Sequence, residues 1–413
     1  MIRSNLLLLI IALIWCGCDT AGNVDPVFEK KFIKYYGDEG DQFGADIAIN
    51  DDGTMLLLGN SVLPDGTSNA MVIKVDSEGN RIWETAIGSG AENAVDIELF
   101  NDGAGIVVVS NVGVPAASKI RLSILSQNGE LLNSKVVNED KVNFYQVAKS
   151  VTCLEERAGF VVAGYADNTL IKETTPSITP SNDVNDIMAF EFDANLNFLD
   201  TIVTKGGELN GSAIKVFETK NPATPFVMFG YSDRPYLTND FRYNFTYDLI
   251  ASGVPIGSPV GSEDEIEELA SVITTPPTVG EGYLMAGTSR AEAGGRGDLY
   301  IVKMNASLEN KSIDRKVSLE GRDLRCVAAT NAPFGYYLLA NEFQDAVHHD
   351  MCLVRTSSDG TAEWVRNFGT SEGDDTAAAV ATLPDGRVVI VGTMELKTRK
   401  KLALIVIDGM GDF

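Results

Sequence analysis

The sequence lacks the short motifs that would assign a reaction directly. It contains no HExxH or P-loop motif and no cysteine pair at metal-ligand spacing, so zinc proteases and nucleotide-binding ATPases have no support. Histidine occurs only twice, side by side at His348 and His349. Neighbouring residues of a strand point to opposite faces, so these two imidazoles would make a poor metal pair. Helical periodicity is absent throughout, which excludes helical folds.

Positive charge is scarce as well. The chain carries 33 Lys and Arg against 58 Asp and Glu, which gives a formal net charge of -25 at pH 7. A surface this acidic repels phosphate groups, so we expect no nucleic acid partner and no direct binding to an anionic membrane surface. Apolar residues nonetheless make up 44% of the 413 residues, which is enough for a sizeable core.

Cysteine is too sparse beyond residue 18 to form a disulfide framework. The three that remain there, Cys153, Cys326 and Cys352, are an odd number. Cys326 and Cys352 fall in strands that a third strand is predicted to separate, so a bridge between them is not expected. We interpret all three as small buried apolar side chains.

Long hydrophobic runs are missing except at the N-terminus. Residues 6–15 are apolar, but the run is shorter than the about twenty residues that cross a bilayer. Gly17 then precedes Cys18. This segment, residues 1–18, resembles a bacterial lipoprotein signal. The resemblance implies acylation of Cys18, with chains such as palmitate, and anchoring in the cell envelope, most simply the outer membrane. Trp15 stands where such signals usually have Leu, and secretion with cleavage nearby is the alternative.

A repeat organises the rest of the chain. Residues 19–27 form a polar tether, and residues 28–413 repeat a unit of about fifty residues, most clearly at 46–83 and 377–408. Four short strands per unit are typical of a propeller blade. Seven sets of strands begin near Asp46, Val95, Gln146, Ser212, Leu269, Arg325 and Thr376. We therefore predict one all-β domain, a seven-bladed β-propeller with four-stranded antiparallel blades.

The first, second and last units carry shared marks. Asp-Gly occupies the first turn, as at 52–53 and 385–386, Gly follows the second strand, and 74–83 ends in Lys-Val-Asp, Gly-Asn and Trp. These marks resemble the seven-bladed β-propeller repeat family, and the resemblance implies the fold but no activity. The chain ends after a third strand at 402–408, whereas residues 28–37 resemble a fourth strand. We expect the N-terminal strand to complete the last blade and close the ring.

Loop lengths distinguish the two faces of the predicted ring. Links between first and second strands, and between third and fourth strands, are mostly tight Asx or Gly turns with no room for a site. The opposite face carries longer loops, and functional residues concentrate in such loops. We expect the working face to consist of the blade-to-blade loops and of residues 60–69, 111–118, 166–185, 232–240, 289–297, 342–350 and 394–401.

Acidic residues recur in the blade-to-blade loops. Asp41, Glu92, Asp374 and Asp375 would lie around the mouth of the ring. Together they could focus negative potential and hold a hard cation, and Ca²⁺ is the ion that carboxylate oxygens suit. No single loop has EF-hand spacing, and the alternative is that each carboxylate accepts hydrogen bonds at the start of an inner strand. No other cofactor is expected.

The loop of the fourth unit is rich in aromatic residues. Tyr231, Arg234, Tyr236 and Phe241 stand there beside Asp and Asn. Such side chains can stack on sugar rings or contact a peptide, so we take these four as candidate ligand-binding residues. The alternative is that the rings cover the edge of the blade.

These features favour a monomeric, non-enzymatic binding module. Held at the envelope by its lipid, it would take a protein or a glycan on the long-loop face. A scaffold of this kind resembles the propeller lipoprotein of outer-membrane protein assembly, by analogy of fold and anchor. The alternative is a glycan hydrolase or lyase. It would use two carboxylates of the blade-to-blade loops, roughly 5–10 Å apart, with the pKa of one raised.

Overall fold

The computed structural model describes residues 31–38, 40–100, 103–114, 117–139, 145–155, 157–167, 185–205, 211–235, 241–250, 258–261, 265–344, 348–371 and 373–412. Within these ranges the chain is all-β, with 28 strands and a short 3-10 helix at Pro277–Val279. No helix in this part of the chain is long and apolar enough to cross a membrane. The strands form seven antiparallel sheets of four, which confirms the predicted seven-bladed propeller.

One strand, β1 (Phe32–Tyr36), precedes the first four blades. Blade one contains β2 (Asp41–Ile49), β3 (Met55–Val62), β4 (Ser68–Val75) and β5 (Arg81–Ile87). Blade two contains β6 (Glu92–Phe100), β7 (Gly105–Val112), β8 (Lys119–Ser126) and β9 (Leu131–Val136). Blade three contains β10 (Gln146–Leu154), β11 (Gly159–Asp167), β12 (Asn185–Asp193) and β13 (Phe198–Lys205). Blade four contains β14 (Gly211–Glu218), β15 (Phe226–Pro235), β16 (Phe241–Ile250) and β17 (Ser258–Pro259).

The last three blades complete the ring. Blade five contains β18 (Ile266–Thr275), β19 (Gly282–Arg290), β20 (Asp298–Asn305) and β21 (Lys311–Val317). Blade six contains β22 (Leu324–Ala332), β23 (Gly335–Phe343), β24 (His349–Ser357) and β25 (Ala362–Phe368). Blade seven contains β26 (Thr376–Thr382), β27 (Val388–Leu396), β28 (Arg399–Ile407) and β1 as its fourth strand. The first strand of each set is innermost, so seven inner strands surround a central channel.

Strand β1 closes the ring as predicted. It pairs antiparallel with β28, from Phe32 opposite Val406 to Tyr36 opposite Leu402. Phe32 also contacts the next blade, because a Cβ placed on Gly79, at φ +75°, would lie 2.6 Å from its ring. Trp83 of β5 makes the equivalent contact with Gly129, a turn glycine of blade two. A Cβ placed on Gly129 would lie 2.8 Å from the Trp83 ring. The same contact between an aromatic residue and a turn glycine therefore occurs at both of these blade junctions.

Apolar packing between blades forms the core. Seven clusters of buried apolar side chains fill the seven junctions, and each combines residues of two adjacent blades. The second strands supply much of it, as in Met55 to Leu58, all fully buried. Cys326 and Cys352 are buried free thiols in β22 and β24, which β23 separates, and Cys153 is also free. Because the ring joins its own ends, hydrophobic burial at every junction stabilises the whole domain.

A β-bulge interrupts every inner strand at the same place. The register between first and second strands skips one residue in each blade: Ala45, Val95, Lys149, Ile214, Ala270, Val327 and Ala378. Three inner strands begin earlier than predicted, at Asp41, Glu92 and Ile266. The bulge interrupts the alternation of apolar and polar residues along the strand, so the sequence pattern did not predict that the strand extends to the residues before the bulge.

Hydrogen bonds repeat at the junctions as well. Asn60 Oδ1 in β3 accepts the Ala94 N–H of the next inner strand at 2.7 Å, and Asn111 accepts the Ala148 N–H at 2.8 Å. Equivalent bonds run from Cys326 to Thr288, from Ala377 to Asn341 and from Gly44 to Thr393. Gly59 precedes Asn60 because a Cβ there would come within 2.5 Å of a backbone oxygen of β2. The small-then-polar pair at the end of the second strand is thus a junction motif.

One predicted loop is wrong. Residues 394–401 were assigned to a long loop, but β27 runs to Leu396 and β28 starts at Arg399. Lys397, at φ 64°, and Thr398 form a tight turn between them. A basic side chain of this hairpin has a partner in the segment that follows β1: Lys401 Nζ donates to the backbone oxygen of Gly37 at 2.9 Å.

Candidate functional site

The four predicted acidic residues lie at the starts of inner strands. Asp41 is the first residue of β2, and its Oδ1 accepts the Lys400 N–H at 3.0 Å. Glu92 opens β6, is buried and pairs with an arginine of β8 at 2.7 Å. Asp375, directly before β26, is fully buried and accepts a backbone N–H of β27 at 2.7 Å. Asp374 pairs with Lys400 Nζ at 2.6 Å. These partners favour hydrogen bonding at the strand starts, and a ligand-binding role for the four stays a prediction.

Asp374 also holds a histidine. Its Oδ1 lies 2.6 Å from His349 Nδ1, and the His349 ring packs edge-on against Phe343 with ring centroids 4.1 Å apart. Residues 369–373 of the preceding loop read Gly-Thr-Ser-Glu-Gly, the spacing of a nucleophile elbow. A strand follows this loop, whereas an elbow requires a turn from strand to helix. The motif therefore lacks the context that would activate its serine.

Metal binding has no visible centre in the described ranges. No group of three or more His, Cys, Asp or Glu side chains there is placed to hold a metal ion. Binding of Ca²⁺ at the mouth stays a prediction. Cys18, the predicted lipid attachment site, lies outside the described residues.

The aromatic candidates of blade four belong to a longer hairpin than expected. Arg234 and Phe241 are part of β15 and β16, which pair up to these residues. Tyr236 lies outside the described residues. Tyr231 is half-buried in β15, packs on the cluster between blades four and five, and lines a cavity. Tyr231 thus contributes an aromatic side chain to the lining of this cavity.

That cavity, here called the mouth cavity, has a volume of about 460 Å³. It is lined by Lys149, Ile214, Tyr231, Glu268, Leu269, Ala270, Thr288, Arg290, Arg325, Cys326 and Phe343. Three of these, Lys149, Ile214 and Ala270, are bulge residues of inner strands. Others come from the ends of second strands, next to the long loops. The mouth cavity therefore opens on the channel at the long-loop face, with walls from blades three to six.

Two arginines dominate its polar lining. Arg290, the last residue of β19, forms an ion pair with Glu268 of the neighbouring strand. Arg325 donates to the backbone oxygen of Gly295 at 2.9 Å, lies 3.2 Å from Asp323 and covers the Phe343 ring at 5.4 Å. Burial, and then the repulsion from the neighbouring arginine, hold the pKa of Arg325 below its usual range despite the carboxylate beside it. Two like charges are thus held close together in the wall.

Lys149 adds a third positive charge. Its side chain is exposed to the cavity, and its Nζ lies over the Tyr165 ring at 5.9 Å. The concave wall around it limits hydration, which lowers the pKa of the ammonium. Sequence reasoning missed Lys149, Arg290 and Arg325. The one available signal was a lysine in the interior of an inner strand, between Ala148 and Ser150.

A larger cavity, about 580 Å³, opens between blades two and three at the face of tight turns. Its lining includes Glu98, Glu155 and Cys153. Glu98 already accepts the Cys153 N–H at 2.9 Å and pairs with Lys215. Burial raises the pKa of the Cys153 thiol, so this sulfur is not a nucleophile at neutral pH. We therefore place the candidate site in the mouth cavity.

The channel wall below the mouth holds a network of charges. Asp46 of blade one is hydrogen-bonded to Asp96 of blade two, and Lys215 of blade four reaches Asp96 at 3.4 Å and Glu98. Lys215 also donates to the Val151 oxygen of blade three at 2.7 Å. Burial and the Asp96 charge raise the pKa of Asp46 well above its usual value. Burial alone would raise the pKa of Asp96, but Lys215 holds it below the ordinary value. The network ties four blades together.

Comparison with known proteins assigns neither a family nor an activity to this chain. No family model matches the chain, and no curated protein matches its sequence. The β-propeller domain of the Trilobed protease from Pyrococcus furiosus is 11% identical, over 90% of this chain and 97% of that one, with a TM-score of 0.48. Penicillium chrysogenum alpha-L-arabinanase complexed with arabinobiose is 12% identical, over 78% of this chain and 94% of that one, with a TM-score of 0.46. An oligogalacturonate lyase in complex with manganese is 11% identical, over 90% of this chain and 98% of that one, with a TM-score of 0.49. Similarity at this level assigns no activity.

Proposed function

We propose that this chain is a cell-envelope lipoprotein whose propeller binds a protein or glycan ligand at the mouth cavity. The observation that carries the proposal is the cavity itself, about 460 Å³, where aromatic and charged side chains converge from four blades. Ligand sites are typically concave, about 300–1,000 Å³, and combine apolar walls with a few polar groups.

The proposed anchor suits this position. Acylation of Cys18 would attach the chain to the membrane through residues 19–27. The tether leads to β1, where Phe32 packs on Gly79, a residue of the turn between β4 and β5. That turn belongs to the face of tight turns. The mouth cavity is on the opposite face and would point away from the membrane surface.

The positions of the carboxylates favour a binding protein over a glycan-cleaving enzyme. Glycan hydrolysis needs two carboxyl groups roughly 5–10 Å apart in the cleft. Among the residues that line the mouth cavity, Glu268 alone has a carboxylate, and it pairs with Arg290. Asp46 and Asp96 are hydrogen-bonded to each other, which leaves no room for a glycosidic bond between them.

A cavity-filling variant tests the site. Ala270→Phe places a ring in the mouth cavity, and Ala45→Phe, at the equivalent bulge of blade one, is the matched control. The full-length protein in detergent is screened by thermal shift against envelope glycans and peptides. A ligand at about a hundred times its Kd stabilises by about 2.7 kcal/mol. We expect a hit to stabilise the wild type and Ala45→Phe but not Ala270→Phe. Equal shifts in all three proteins would refute the site.

The anchor is tested separately. Cys18→Ser should move the protein from the detergent phase to the aqueous phase in a partition assay. A variant that stays in the detergent phase would refute acylation at Cys18.

A further inference from the structure

We propose that the mouth cavity takes an anionic group of its ligand, a carboxylate or a phosphate, with Arg290 and Arg325 as its donors and Lys149 as a supporting charge. This inference rests on the proposed function, because it assumes that the mouth cavity is the ligand site. It adds the chemical class of the ligand.

Charge balance is the first support. The lining of the mouth cavity contains three cationic side chains, Lys149, Arg290 and Arg325, and one carboxylate, Glu268. The chain as a whole has a net charge of -25. With Asp323, which lies 3.2 Å from Arg325, counted as a second carboxylate, the group still has one more positive charge than negative charges. A local excess of positive charge in so acidic a protein favours binding of an anion here.

Unsatisfied donors are the second support. Arg290 Nε and Arg325 Nη1 are buried and have no hydrogen-bond partner in the described part of the chain. Buried N–H groups almost always have a hydrogen-bond acceptor, so we expect an acceptor from a ligand at each of these two groups. A guanidinium has five N–H donors and no acceptor, and it suits a group with several lone pairs on two or more oxygens. A carboxylate and a phosphate are the common groups of that kind.

Rigid support for the two guanidinium groups is the third observation. Arg325 is fixed by Gly295, Asp323 and the Phe343 ring, and Arg290 is fixed by Glu268. The side chain of Arg290 is 15% exposed, whereas its partner Glu268 is 42% exposed. The lower exposure of Arg290 shows that its guanidinium is held within the wall of the mouth cavity rather than extended into solvent. The site is therefore organised before a ligand arrives, which reduces the entropy lost on binding.

The test compares charged and neutral probes on the full-length protein in detergent. Binding of glucuronate, inorganic phosphate and glucose is measured by isothermal titration calorimetry. We expect saturable binding of at least one anion and much weaker binding of glucose. Glucuronate and phosphate separate the carboxylate from the phosphate as the preferred group.

Variants locate the anion. Arg290→Gln should weaken binding by about ten- to a hundredfold, the effect of losing a hydrogen bond to a charged group. Arg296→Gln removes the same charge from an exposed position in the adjacent loop and should leave Kd unchanged. Lys149→Gln, at an exposed side chain, should weaken binding without altering the fold. A melting curve for each variant separates lost binding from lost structure.

Four results would overturn the inference. If neither anion binds, or if Arg296→Gln weakens binding as much as Arg290→Gln, the arginines do not form an anion site. If a neutral glycan binds and Ala270→Phe abolishes that binding, the proposed function stands and the anion inference fails. If Ala270→Phe leaves every interaction unchanged, the mouth cavity is not the ligand site and both fail.

Discussion

The channel network predicts that replacing Asp46 by Asn makes the protein more stable at neutral pH. Asp46 Oδ2 accepts the Ile97 N–H at 3.0 Å, and its carboxyl is hydrogen-bonded to Asp96. Burial and the Asp96 charge raise the pKa of Asp46 in the folded state. The stability that protonated Asp46 contributes is present at low pH and is lost as the pH rises through the raised folded pKa.

The Asn side chain keeps the geometry and removes the titration. Its oxygen can accept the same N–H, and its amide can donate to Asp96 in place of the carboxyl proton. Each unit by which the folded pKa exceeds the unfolded one is worth about 1.4 kcal/mol. The advantage of Asp46→Asn over the wild type should therefore be near zero at low pH and should grow as the pH approaches neutrality.

Asp96→Asn is the matched variant with the opposite sign. Lys215 lies 3.4 Å from Asp96 and holds the pKa of its carboxyl down, so the charged form is the stabilising one. Loss of the Asp96 charge should lower the free energy of unfolding by about 1.5–3 kcal/mol at neutral pH, the range for a hydrogen bond to a charged group. The loss should not be larger, because Lys215 still contacts Glu98 and a backbone oxygen. Urea unfolding of the three proteins between acidic and neutral pH measures both effects. Equal destabilisation by the two variants at every pH would refute a protonated Asp46.

Gly79→Ala should lower the free energy of unfolding by about 1–2 kcal/mol, because Gly79 has φ +75° and a Cβ there would lie 2.6 Å from a phenylalanine ring. Gly66→Ala, at φ +84° with nothing within 4 Å, is its control and should lose less in urea unfolding. Asn111→Ala removes bonds of 2.8 and 3.2 Å to the next blade and should cost about 1–3 kcal/mol, whereas Asn128→Ala, in an exposed turn, should cost little. Equal losses within either pair would contradict this packing. Burial raises the pKa of the Cys326 thiol to about 12, so mass spectrometry should find it alkylated at mildly alkaline pH only after unfolding.

The repeat made the ring and its closure predictable. In β1, β5 and β25, an aromatic residue of the fourth strand packs on a turn glycine of the next blade. Phe32 has this role in β1 as Trp83 has it in β5, which is why residues 28–37 could be recognised as a fourth strand. Local sequence carries this information because the contact is the same at several junctions.

Strand ends were less predictable where polar residues have distant partners. Arg399, Lys400 and Lys401 are typical of an exposed loop, yet they lie in β28. Lys400 Nζ pairs with Asp374 at 2.6 Å, and Lys401 Nζ donates to Gly37. These partners are far away in sequence, so a local pattern could not show them.

The mouth cavity could not be predicted for the same reason. Lys149, Arg290 and Arg325 come from blades three, five and six, and no short motif joins them. They meet only because the ring brings inner strands and second-strand ends to one opening. Acidic residues attracted more notice because they recur at a fixed position in the repeat, where the structure shows hydrogen bonds at strand starts.

Hydrogen-exchange mass spectrometry with a bound ligand tests the central claim most directly, because it compares the two faces of the ring in one experiment. The account predicts slower exchange at the end of β19, the start of β22 and the end of β23, which border the mouth cavity. The turns at 76–80 and 126–130, on the opposite face, should exchange as in the free protein. Protection confined to those turns, with none around Arg290 and Arg325, would contradict a ligand site in the mouth cavity.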